Sequence, residues 1–346
     1  MILPTLHRAA TLFAATTLLP LGTLAAQQSG GMTGHEGHVM PKAPAAAKPA
    51  AAPVSGELVV GTIIIAHGAG DAWNSKVEDV ARQVKLDGPV TVSYLMGPGA
   101  AAHPFQKAAQ ELVDRGATAI AVVPLLVSSH SGHYDQIRYL AGELDSLSSV
   151  MEHHLHMSGI TRADVNVPIR LSKAVDNSPD AARVLADRAK ALVPDAAERG
   201  SRALFLFGHG PNSAEDYATW MTNLREVTDS VRAATGFRSV LVELVRDDAP
   251  QEVRAEAVKR ARELIMIQND LTGKDVIVVP ILISTGEVSQ TKFPQDLEGL
   301  PIKYSGEALL PHPALVRLVE TRSRETWPTT GGVGQASAEP ATSAAP

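Results

Sequence analysis

Between residues 57 and 327, short apolar runs alternate with segments in which apolar residues recur at helical spacing. Val59–Ile65 is a β-branched run without polar alternation, as expected of a strand buried on both faces. Trp73–Lys85 has helical spacing after Asp71, read as its N-cap. Val90–Tyr94 is the next strand, Pro104 opens a helix reaching about Arg115, Ala119–Val123 is a third strand, and Ala181–Leu192 is a closing helix. The pattern then repeats: strand 202–207, helix from about 214, strand 239–244, helix 250–266, strand 276–280 and helix 313–325. Strands alternating with helices imply parallel sheets of βαβ units covered on both faces. The expected fold is therefore α/β, with two tandem doubly wound domains.

The two halves also match residue by residue. The run ending in Ala66-His67-Gly68 pairs with the run ending in Gly208-His209-Gly210. Val123-Pro124-Leu125-Leu126 through Ser129 pairs with Val279-Pro280-Ile281-Leu282 through Thr285. Pro168-Ile-Arg-Leu resembles Pro301-Ile-Lys-Tyr, and Asn177-Ser-Pro179 takes the place of Pro311-His-Pro313. Four matches in one order make an internal repeat, with copies at 57–195 and 200–327.

The ends read differently. Residues 1–26 have the pattern of a secretory signal: a short basic start at His7-Arg8, an apolar stretch to Leu21, and small residues before Gln27. That stretch is short for a membrane span. Residues 27–56 read as a disordered linker and 328–346 as a disordered tail. The expected mature protein is exported, periplasmic or extracellular, and has no stable membrane span. The chain contains no cysteine, which excludes disulfides, thiolate–zinc sites, iron–sulfur clusters and thiol catalysis. A net charge of −6 gives no reason to expect nucleic acid.

Ligands of an open parallel sheet bind beyond the carboxyl ends of its strands. At such ends stand His67 and His209, then Ser128, Ser129, His130 and His133. Ser284, Thr285, Glu287 and Glu243 are their neighbours in the second copy, where the third strand leads to no histidine. Gly68 and Gly210 let the backbone turn sharply and approach a ligand. Imidazole near neutral pKa both ligates a borderline divalent ion and accepts a proton. Two His/Met groups stand apart: Met32, His35, His38 and Met40 in the linker, and Met151, His153, His154, His156 and Met157 in an insertion of the first copy.

The His-Gly loops, the Leu125-Leu126-Val127-Ser128-Ser129-His130-Ser131-Gly132-His133 segment and Leu310-Pro311-His312-Pro313 resemble the class II tetrapyrrole chelatases, the CbiX/SirB-like sirohydrochlorin cobaltochelatases and ferrochelatases, in their two-repeat long form. The resemblance implies a lyase that inserts cobalt or iron, with nickel as a further candidate, into a sirohydrochlorin-type tetrapyrrole. It implies metal ligation by His67 and by either His130 or His133, with His209 approaching from the facing half. Gly68, Ser128, Ser129 and Gly210 would hold the macrocycle, and one chain acting as a monomer would supply both sides of the cleft. The acidic residue after the loop histidine falls on Asp135, off the family spacing, and an export signal is unusual for a cytoplasmic pathway. The competing expectation is an exported, non-catalytic metal- or tetrapyrrole-binding protein.

Overall fold

The computed structural model describes residues 57–328. The expected signal, linker, linker His/Met group and C-terminal tail lie outside the described residues. Two four-stranded, all-parallel sheets are present. The first repeat contains β1 (Val60–Ala66), α1 (Asp71–Gln83), β2 (Val90–Tyr94), α2 (Pro98–Ala102), α3 (Phe105–Asp114), β3 (Ala119–Leu125), α4 (Gly132–Ala141), α5 (Ser149–Met157), β4 (Ile169–Leu171) and α6 (Pro179–Leu192). After a linking turn, α7 (Ala196–Arg199), come β5 (Ala203–Gly208), α8 (Ala214–Thr235), β6 (Ser239–Leu244), α9 (Gln251–Thr272) and β7 (Val276–Ile281). A π-helical turn at Val288–Lys292 then leads into α10 (Phe293–Asp296), β8 (Ile302–Tyr304) and α11 (Pro313–Thr326).

The strand orders are β2-β1-β3-β4 and β6-β5-β7-β8, the same arrangement twice. In β1, β3, β5 and β7 nearly every side chain is buried, which explains their unbroken apolar runs. The expected elements are all present, most with ends shifted by a residue or two. One assignment changes: Gly70, not Asp71, is the N-cap of α1, and Asp71 begins the helix, where its charge suits the positive end of the dipole. The insertion around residues 148–166 contains an ordered helix, α5, capped by Ser148.

The closing helices cross between the repeats. Helix α6 packs on β7 and α8 of the second repeat, while α11 packs on β3 and α1 of the first. Polar contacts fix the exchange. The buried hydroxyls of Thr62 in β1 and Ser323 in α11 are 2.7 Å apart. The Trp327 indole donates to the Ile120 carbonyl at 3.2 Å. In the opposite direction, Arg188 of α6 donates to the carbonyls of Ala308 and Pro311 and pairs with Glu307. Ser178 and His312, at equivalent places in the repeat, are the N-caps of these two helices. Sequence periodicity reports that a helix has one apolar face but not which sheet receives it.

The crossover predicts an energetic coupling between residues 261 positions apart. Thr62→Val should cost about 1–3 kcal/mol by leaving a buried hydroxyl unpaired, and the double variant Thr62→Val/Ser323→Ala should recover part of that loss in urea unfolding. Additive losses would mean that the two hydroxyls do not interact.

Candidate metal and tetrapyrrole site

The first strand of each repeat ends in a turn that positions a histidine. After β1, Met96 donates its N–H to the His67 carbonyl at 2.9 Å; after β5, Arg246 does the same for His209 at 2.7 Å. The following glycines have φ of 89° at Gly68 and 78° at Gly210, in the left-handed region. A Cβ on Gly68 would meet the Met96 carbonyl oxygen at 2.3 Å. Glycine is thus required there by both dihedral and space. With the chain so turned, the Gly68 carbonyl lies 2.9 Å from His67 Nδ1, and the Gly210 carbonyl lies 2.9 Å from His209 Nδ1.

A carbonyl only accepts, so Nδ1 of each imidazole carries the hydrogen. The lone pair is then on Nε2, the tautomer that a metal ligand or a proton acceptor needs. His133 reaches the same state differently. It sits in the first turn of α4, where Ser131 is the N-cap and its hydroxyl accepts from the Tyr134 N–H. Its Nδ1 is 2.8 Å from Gln136 Oε1, and the Gln136 amide donates to the Met151 carbonyl at 2.8 Å, which orients the oxygen toward the ring.

His67 and His133 meet edge to face, with ring centroids 4.8 Å apart. Burial, followed by the nearby His133, lowers the pKa of His67 to about 4. Burial also lowers that of His133, against the hydrogen bond it donates to Gln136 and together with repulsion from His154 and His209. Both rings are neutral at neutral pH. His209 lies close enough to act electrostatically on each of them, as does Asp248.

The structure therefore brings His67 and His133 into contact with His209 nearby, and leaves the His130 side chain exposed. Only the His130 backbone is engaged: its N–H donates to Ser128 Oγ and its carbonyl accepts from the Trp220 indole. Between the two alternatives for the second loop histidine, the geometry favours His133. Ser128 and Ser129 are hydrogen-bonded within the loop. Ser129 Oγ donates to Asp176 at 2.6 Å and accepts from the Ala174 N–H at 2.9 Å. Asp176 also receives the Ser129 N–H at 2.7 Å. This aspartate, buried and held at a φ of 45°, anchors the histidine loop, and Leu310 takes its place in the second repeat.

The carboxylates suggested by the sequence lie elsewhere. Glu243 is buried and receives the Tyr217 hydroxyl at 2.7 Å and the Arg260 guanidinium. Glu287 is exposed, and Asp135 pairs with Arg138 at 3.0 Å. Asp247 and Asp248, not suggested by the sequence, do lie at the site. Their oxygens are 3.8 and 3.4 Å from His209 Nε2, and the three ligand atoms lie within 4.8 Å of one another, close enough to hold a cation. Asp247 is nearly buried. Desolvation opposes its ionisation, but hydrogen bonds from Lys292 and Arg254 outweigh that and keep its pKa below the ordinary value. Asp248 is exposed and carries the less compensated charge. The pair was detectable from the repeat alone: β6 leads into Arg246-Asp247-Asp248 where β2 leads into Met96-Gly97-Pro98.

Residues 61–192 match the model of the CbiX family. No curated protein matches the chain significantly. Among solved structures, SirB from Bacillus subtilis with Fe3+ has a TM-score of 0.53 at 18% identity, over 78% of this chain and 96% of its own. The sirohydrochlorin chelatase SirB from Bacillus subtilis subspecies spizizenii in complex with cobalt gives 0.50 at 16%, over 78% and 95%. A multi-domain Deinococcus radiodurans protein with structural similarity to chelatases gives 0.51 at 16%, over 80% of this chain and 57% of its own. The fold is thus that of the chelatases across both repeats, and the CbiX family model matches the first repeat.

Proposed function

We propose that the protein is a chelatase that inserts a divalent ion, cobalt or iron, into a sirohydrochlorin-type tetrapyrrole. The observation that carries this reading is the convergence of His67 and His133 as neutral imidazoles, each with Nδ1 hydrogen-bonded. Such a pair leaves Nε2 lone pairs to hold the ion as substrate. Insertion releases two pyrrole N–H protons for each divalent ion bound. His209, with its Nε2 3.4 Å from the Asp248 carboxylate, is the group best placed to take part in moving those protons. The ion and macrocycle are assigned by class: the chelatase neighbours were captured with Fe3+ and with cobalt. We further propose that the protein works outside the cytoplasm, on the signal-like pattern of residues 1–26.

A second reading, a binding protein without insertion activity, is favoured by the second repeat, whose third strand leads to no histidine. Spectroscopy separates the two. Purified protein given Co2+ and sirohydrochlorin should shift the macrocycle absorption, and His67→Ala should slow the change about 100-fold or more. Binding of both ligands by the wild type with no spectral shift would select the second reading.

The lowered pKa values make a further prediction. An unshifted imidazole loses its lone pair to a proton below 6.5, whereas His67 keeps it down to about 4. Co2+ affinity measured by calorimetry should therefore persist as the pH falls through 6.5 and be lost as it nears 4. A fall centred near 6.5 would show that exposed histidines hold the ion instead.

A further inference from the structure

Helix α5 has no counterpart in the second repeat. Between β3 and β4 the chain forms α4 and α5; between β7 and β8 it forms only the π-helical turn and α10. In nine residues α5 carries Met151, His153, His154, His156 and Met157, and the proposed chemistry uses none of them.

These side chains divide between two faces. At 3.6 residues per turn, His153, His156 and Met157 point the same way, and all three are exposed. Met151 and His154 are half-buried and Leu155 is buried on the inward side. That side is joined directly to the histidine site. Met151 lies against Gly132, where a Cβ would come within 2.7 Å of the sulfur. The Met151 carbonyl accepts from Gln136, the same side chain that accepts from His133.

His154 stands between the two faces. Its buried Nδ1 has no hydrogen-bond partner, in contrast to the bonded Nδ1 atoms of His67, His133 and His209. A buried polar nitrogen left unpaired is destabilising. The ring is therefore not held in place by hydrogen bonding there, and its helix is joined to His133 through Gln136 and the Met151 carbonyl.

We propose that α5 is a receiving station for the ion: His153, His156 and Met157 capture it from solvent, and His154 hands it to His133 and His67. Imidazole and thioether suit cobalt, nickel or copper, and offer no oxygen to Mg2+ or Ca2+. Transfer is ligand exchange in which each neutral imidazole yields the ion to the next, with no net proton or electron movement. The hand-over rests on the chelatase reading; the capture site does not.

The test uses the full chain with His35→Ala and His38→Ala, which removes the linker histidines as competing ligands. Titrated with Co2+ alone, this background should bind one ion more than the same protein carrying His153→Ala and His156→Ala, with unchanged circular dichroism. Equal stoichiometry overturns the capture site. For the hand-over, His154→Gln should raise the Co2+ concentration for half-maximal insertion at least about fivefold and leave the rate at saturating Co2+ unchanged, a modest change in ion-delivery free energy. An unchanged half-maximal concentration overturns the hand-over and leaves the chelatase reading standing. Absence of insertion in the background protein overturns the chelatase reading and leaves the Co2+ stoichiometry to decide the capture site.

Discussion

The site depends on one interaction: the hydrogen bond from a histidine Nδ1 to the carbonyl of the glycine that follows it. At His67 it requires a left-handed glycine, a strand end that stops one residue earlier, and a neighbouring loop whose carbonyl excludes any Cβ. In return it fixes the tautomer and leaves Nε2 as the free ligand. The same bond recurs at His209, and at His133 Gln136 provides the acceptor instead. Three differently placed imidazoles are thereby set in one chemical state.

Around this common state the two halves have diverged. The first supplies the close imidazole pair, with a loop tied down by Asp176; the second supplies His209 with two aspartates and has Leu310 at the anchoring position. Burial keeps the first pair neutral, while His209 lies 3.4 Å from the exposed Asp248 carboxylate. The exchange of α6 and α11 ties the two halves to each other, because each sheet is completed by a helix from the other repeat.

Much of this was legible in the sequence, for physical reasons. Strands buried on both faces leave unbroken apolar runs, so β1, β3, β5 and β7 were placed to within a residue or two. The repeated His-Gly dipeptide gave both turn histidines. The choice between His130 and His133 was not legible, since it depends on where α4 begins: Ser131 caps the helix and carries His133 inward, while His130 is left outside. Asp176 was missed because a loop distant in sequence brings it to the site, and the Asp247-Asp248 pair because its place in the repeat was not compared with that of Met96-Gly97-Pro98. The helix exchange was invisible because both sheets offer the same kind of apolar surface.

The central claim is that His67 and His133 bind the ion through Nε2 while their Nδ1 bonds to Gly68 and Gln136 persist. A crystal structure of the cobalt-loaded protein tests it most directly. The account predicts cobalt on the two Nε2 atoms, with both Nδ1 contacts retained. Cobalt held by His130, or bound through Nδ1 of either ring, would contradict it.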